Sequence, residues 1–98
     1  MGEVNWTSEA EGWLREVHDY IAQDSPEAAT KVVNGIFERA RVLVSYPEVG
    51  HRYRVEPTGD IRILLYGHYR ITYLLKKDGV IDIIGVFHGA LDIDRYLP

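Results

Sequence analysis

The chain contains no cysteine. That excludes a disulfide, a thiolate metal site and a thiol nucleophile, and it fits a reducing cytoplasm, where the protein is expected to reside. No stretch approaches the roughly 20 consecutive apolar residues of a membrane span. The first residues carry Glu3, Glu9 and Glu11 with no apolar run, so they do not read as a signal peptide. The Met1-Gly2 start has Trp6 where an acylation signal needs Ser or Thr. Positive charge is also short, with 11 Lys and Arg against 15 Asp and Glu and a net charge of −4. A dedicated nucleic-acid binder is usually basic because it replaces counterions on phosphates, so the overall balance counts against that class, a local basic patch aside. His18, His51, His68 and His88 show no ligand spacing. No metal or cofactor is expected. Glycine-rich phosphate loops and serine-centred elbows are missing too, which removes support for nucleotide hydrolysis and acyl transfer.

What is present fits one domain over residues 1–98, with a hydrophobic fraction of 46%. Val4 and Trp6 alternate with polar neighbours and predict a short strand. Ser8 followed by Glu11 reads as a capping box. It opens a helix in which Ala10, Trp13, Leu14, Val17 and Ile21 share a face. Gln23-Asp24-Ser25-Pro26 interrupts, and Ser25 before Pro26 is a second helix start. Ala29, Val32, Val33, Ile36, Phe37, Ala40, Leu43 and Val44 mark one face of a longer helix, which Pro47 ends. Gly12 and Gly35 lie inside these helices at about 1 kcal/mol each relative to alanine. They mark either local tolerance or close contact between the helices.

The remainder is strand-like: residues 52–56, 61–66, 69–76 and 80–87, then a tail over residues 89–98. Gly67-His68 suits a type II′ turn, and Asp78-Gly79 carries a type I′ signal. The fold class is therefore α+β in two layers, ordered strand, helix, helix, then three or four antiparallel strands. Those turns set a register in which Tyr66 pairs with Tyr69, Leu64 with Ile71 and Arg62 with Tyr73. In the next hairpin Tyr73 pairs with Ile84, Ile71 with Val86 and Tyr69 with His88. One face then carries Ile61, Ile63, Leu65, Thr72, Leu74, Ile81, Ile83, Gly85 and Phe87, with Arg70 and Lys76 towards strand ends. Being mainly aliphatic, it is expected under the helices. The other carries Arg62, Tyr66, Tyr69, Tyr73, Asp82 and His88 among aliphatic residues, and is expected to be open or to meet a partner.

Several segments in order resemble the RelE/ParE toxin superfamily, nearest its ParE and plasmid-stabilisation branch. They are Trp6-Thr7-Ser8-Glu9-Ala10, Tyr20-Ile21, Ser25-Pro26-Glu27-Ala28-Ala29, Tyr46-Pro47-Glu48-Val49-Gly50, Ile61-Arg62-Ile63-Leu64, Tyr69-Arg70-Ile71-Thr72-Tyr73 and Val86-Phe87-His88-Gly89-Ala90. The resemblance implies a helical hairpin on a curved antiparallel sheet. It implies a co-encoded antitoxin of ParD or RelB type whose flexible segment wraps the toxin, and it allows a higher-order toxin–antitoxin complex. It also implies one of two lethal activities. ParE-like members inhibit DNA gyrase, and RelE-like members cut mRNA on the ribosome. A toxin-like domain without toxicity is a third reading. Where the ParE pattern commonly has arginine after His-Gly-Ala, this chain has Leu91 and Asp92, which departs at a basic position.

A metal-free ribonuclease needs a proton acceptor, a cation on the phosphate and a proton donor. His88 could serve as acid or base, and Arg62 resembles the family's sheet arginine. Glu48, Glu56 and Asp92 are carboxylate candidates, and Arg70 a weaker cationic one. Tyr66, Tyr69 and Tyr73 could stack on bases, pack on an antitoxin or simply fill the sheet surface. Arg62 and His88 fall two strands and four residues apart, roughly 16 Å between backbones, a long reach for one phosphate. Both have structural alternatives: an arginine stacked on Tyr73, and a strand-end histidine bonded to a carbonyl or to Tyr69.

Overall fold

Thr7, one residue before the expected cap, opens the first helix. In the computed structural model, which describes residues 3–98, the Thr7 hydroxyl accepts the Ala10 amide at 3.1 Å and donates to the Ile83 carbonyl at 2.7 Å. One side chain thus ends the first strand and caps the helix, which displaces the capping box expected at Ser8. Met1 and Gly2, and with them the acylation question, lie outside the described residues. The elements are β1 (Val4–Trp6), α1 (Ser8–Ala22), α2 (Pro26–Ala40), α3 (Val42–Ser45), β2 (His51–Glu56), β3 (Gly59–Tyr66), β4 (Tyr69–Lys76), β5 (Ile81–His88) and a short 3-10 turn, Ile93–Arg95. Ser25 caps α2 through the Ala28 amide at 3.1 Å, with Pro26 in the first turn, as its position predicts. The single long helix expected through Val44 is divided at Arg41, whose amide bonds back three residues to the Glu38 carbonyl and tightens the turn.

The strands form one sheet in the order β1-β5-β4-β3-β2. β2 to β5 are antiparallel neighbours, and β1 runs parallel to β5 along Ile81 to Ile83, which makes the sheet mixed. The α+β class with a helical hairpin on the sheet stands as expected, with four antiparallel strands after the hairpin.

The β3–β4 hairpin turns at Gly67-His68, with φ +57° at Gly67 and a negative φ at His68, as a type II′ turn requires. Its pairs Arg62–Tyr73, Leu64–Ile71 and Tyr66–Tyr69 match the register drawn from the turn. The β4–β5 hairpin departs from expectation twice. Asp78 has no positive φ, so the turn is not type I′. Lys76 pairs with Val80 instead, around a three-residue loop that ends on Gly79 at φ +90°. This loop shifts the register by one, so that Tyr73 pairs with Ile83 rather than Ile84. A bulge at Ile84 then restores the original count, and Ile71–Val86 and Tyr69–His88 pair as expected.

The faces of β3 and β4 are reversed from the expectation, while Ile81 and Ile83 of β5 lie under the helices as expected, because the register shift turns that end of β5 over. Beneath α1 and α2 lie Leu64, Tyr66, Tyr69, Ile71, Tyr73, Ile81, Ile83 and Val86, packed on Ala10, Leu14, Ile36, Ala40 and Leu43. The aliphatic face of Ile63 and Phe87 instead receives the C-terminal tail, through Ile93, Leu91 and Leu97. Two causes explain the reversal. The Tyr73 ring buries its carbon surface while its hydroxyl bonds the Pro47 carbonyl and the Gly50 amide, and the ten-residue tail covers what would otherwise be the bare side. Leu65, 56% exposed, lies beyond that cover. Trp13 wraps from α1 onto Phe87 and Tyr96, with ring centroids 4.9 Å away in each case, and so ties helix, sheet and tail together.

Candidate functional site

The candidate residues divide into three groups in space. Arg62 and Tyr73 stand side by side on β3 and β4 and reach the same loop. Tyr73 donates to the Pro47 carbonyl at 2.7 Å and accepts the Gly50 amide at 3.0 Å. Burial pushes its hydroxyl above the usual tyrosine pKa, against the opposing pull of the Gly50 amide and the Arg62 cation. Arg62 is 9% exposed, and its Nη1 donates to the carbonyls of Glu48 at 3.1 Å and Gly50 at 2.7 Å. Asp60 lies 3.7 Å from its Nη2. These bonds replace the ring stacking considered for Arg62, and its head group faces the loop backbone. The Glu48 side chain is exposed.

Tyr66 forms the second group. A Cβ at Gly35 would overlap its hydroxyl and ring. The close approach marked by that glycine is thus between helix and sheet, not between helices. At Gly12 there is open space.

The third group is a cleft of ≈ 400 Å³ between α1 and the ends of β4 and β5, lined by Trp13, Glu16, Val17, Tyr20, Tyr69, Val86, His88 and Leu91. Here Tyr69 and His88 meet, their rings edge to face at 5.8 Å, with the His68 ring 6.3 Å from His88. His88 is exposed, and its Nδ1 accepts the Ala90 amide at 3.2 Å. In the neutral ring that bond leaves the proton on Nε2. Arg70 lies behind, on the tail side. Its Nη2 donates to the His88 carbonyl at 3.1 Å and also to the Leu91 carbonyl. Of the remaining candidates, Glu56 is held by Arg54 at 2.6 Å, and Asp92 is exposed at the start of the 3-10 turn.

The pattern-based reading did not single out Glu16 or Tyr20. Tyr20 follows Trp13 and Val17 at helical spacing and widens the apolar stripe of α1 beyond what the sheet can cover, and this was the available signal. Among the described residues, no group of three His, Asp or Glu side chains is placed to hold a metal ion. No helix is long and apolar enough to cross a membrane.

The model of the family described as the ParE toxin of type II toxin–antitoxin systems, parDE, matches residues 4–93. The protein Y4kP of Sinorhizobium fredii is 33% identical over 86 residues, covering 88% of this chain and 86% of its own length. Toxin RelE2 of Caulobacter vibrioides is 33% identical over 91 residues, covering 92% of this chain and 98% of its own. Among solved structures, the chromosomal ParDE system of P. aeruginosa superposes with a TM-score of 0.73 over 90% of this chain and 96% of that one, at 24% identity. That likeness speaks for the fold.

Proposed function

Because the chain belongs to the ParE toxin family of type II toxin–antitoxin systems, we propose that it arrests growth by binding and inhibiting DNA gyrase, and that a co-encoded antitoxin neutralises it. The observation that carries this reading is the use made of Arg62. A metal-free ribonuclease needs a cation at the scissile phosphate. Arg62 is buried, and it donates to the Glu48 and Gly50 carbonyls. Arg70, the other sheet arginine considered, donates to the carbonyls of His88 and Leu91. The cleft that holds His88 also presents the Glu16 carboxylate, which would repel an RNA backbone. Aromatic rings and a short apolar floor suit protein recognition better.

The second reading, a ribosome-dependent mRNA endonuclease, draws on exposed His88 beside Tyr69 and on the likeness to Toxin RelE2. Purified protein added to gyrase with relaxed plasmid and ATP separates the two. Gyrase inhibition requires loss of supercoiling at toxin concentrations comparable to the enzyme. Full supercoiling at large excess, together with cleavage of mRNA on translating ribosomes, would transfer the assignment to the nuclease.

A further inference from the structure

The loop that leads into β2 joins a fixed backbone to outward side chains. From Tyr46 to Gly50 every residue has a backbone group in a hydrogen bond. The Tyr46 amide donates to the Val42 carbonyl at 2.9 Å, and the Val49 amide to the Tyr46 carbonyl at 3.1 Å. Arg62 and Tyr73 hold Pro47, Glu48 and Gly50 from the sheet. Gly50 is buried so close to the Tyr73 ring that a Cβ there would overlap it. Leu43, fully buried on α3, fixes the other end. Yet Tyr46 is 66% exposed and Val49 47%. Glu48 is exposed as well, and among the described residues its carboxylate has no ion-pair partner.

A plain connection between a helix and a strand is served by glycine, proline and short polar residues. An exposed tyrosine and valine on a held backbone do something else: the ordering that binding would otherwise require is already complete before a partner arrives. Tyrosine is also among the residues enriched where binding energy concentrates. Charge and shape then limit the partner. The Glu48 carboxylate repels a phosphate backbone or an anionic lipid surface. A second copy of this chain brings the same carboxylate and the same net −4. A small molecule needs an enclosing pocket, whereas side chains that project suit a shallow depression on another protein. We infer that Tyr46 and Val49 contact the protein that the toxin inhibits, packing on an apolar depression of it, while Glu48 meets a lysine or arginine at the rim. This surface lies at the β2 edge, with β3 and β4 between it and the β5 strand that carries His88. The inference rests on the reading of the chain as a gyrase inhibitor that acts by binding, and it adds which side chains make the contact. Arg62→Ala and Tyr73→Phe each keep two of the four side-chain bonds to the loop, so in either variant inhibition weakens without being lost.

The test titrates gyrase, with relaxed plasmid and ATP, against the full parent chain and against Tyr46→Ala, Val49→Ser, Glu48→Lys and Val55→Ser. Val55 is as exposed as Tyr46 but stands on β2, outside the loop, and serves as the control. Truncating a tyrosine at the centre of a contact raises the half-inhibiting concentration about tenfold or more. Val49→Ser and Glu48→Lys each raise it about threefold, and the Glu48→Lys effect shrinks as salt rises. Val55→Ser stays within about twofold of the parent, as residues outside a contact do. All four positions are exposed, and thermal midpoints on the same samples verify that each variant is folded. If Tyr46→Ala inhibits as strongly as the parent, or if Val55→Ser loses as much as Val49→Ser, the inference is overturned while the gyrase reading stands. A parent chain that leaves supercoiling intact at large excess removes the gyrase reading itself, and the inference with it.

Discussion

Arg62 and Tyr73, paired across β3 and β4, hold one loop between them. Arg62 takes the carbonyls of Glu48 and Gly50, while Tyr73 takes the Pro47 carbonyl and the Gly50 amide. The loop has no regular secondary structure of its own, so these sheet side chains satisfy its backbone. The pair therefore serves as a structural anchor. Arg62→Ala should cost about 2–4 kcal/mol, because it removes the partner of two carbonyls from a buried site. Tyr73→Phe should cost about 1–3 kcal/mol by the same reasoning. Both act on Gly50, so the double variant should deviate from additivity by about 0.5 kcal/mol or more. Denaturant unfolding of the four proteins measures this. Per folded molecule, each variant should still inhibit gyrase.

Alkaline pH should weaken the fold. Tyr73 is raised by burial, and Lys76 by its hydrogen bond and ion pair with Asp82, 2.7 Å away. Tyr53 is raised by its hydrogen bond to Asp94 at 2.8 Å. A folded-state pKa above the unfolded value contributes stability that is fully present below the unfolded pKa and is lost as pH rises through the folded one. The window therefore opens near pH 10, the ordinary range of tyrosine and lysine. The thermal midpoint should be flat from neutral pH to about pH 9 and fall beyond about pH 10. Tyr73→Phe should show a shallower fall, because its own contribution to the slope is gone.

The two helix glycines should respond in opposite directions. Gly35→Ala forces Tyr66 out of its place beneath α2 and should cost about 1–3 kcal/mol, as overpacking does. Gly12→Ala meets open space and should gain about 0.5–1 kcal/mol from helix propensity. Unfolding midpoints of the two variants against the parent decide both. Equal effects would mean that Tyr66 yields without resistance.

Helices, hairpins and their order were legible in the sequence because caps, turn residues and apolar spacing act locally. The pairing of Tyr69 with His88 was also legible, although by cancellation: the three-residue loop ending on Gly79 shifts the register by one, and the bulge at Ile84 shifts it back. Neither is marked by a local pattern as strong as Asp78-Gly79. The faces were misread because the sequence shows Tyr73 and Arg62 as polar, whereas their partners are backbone groups of a loop far along the chain. Nor does alternation reveal that Ile93 and Leu97 fold back over Ile63 and Phe87. Within the candidate site, Tyr69 and His88 were identifiable as strand-end neighbours, but Glu16 and Tyr20 depend on how α1 crosses β5.

His88 separates the two activities at the level of a single side chain. Its ring is exposed and bonded to the Ala90 amide, so His88→Gln should leave the fold within about 0.5 kcal/mol of the parent, as surface changes do. Under gyrase inhibition the variant stays toxic when induced. A nuclease that uses His88 as acid or base would lose about a hundredfold or more in rate, and its toxicity with it. Growth curves after induction, with a stability check on the same variant, read the outcome.

The most direct measurement is the order in which synthesis stops when the chain is induced in bacteria without an antitoxin, with labelled thymidine and labelled methionine followed over the first minutes. Gyrase inhibition predicts that thymidine incorporation falls first while methionine incorporation continues. If methionine incorporation collapses first and thymidine follows later, the binding account is contradicted, and His88 with Tyr69 becomes the centre of a nuclease.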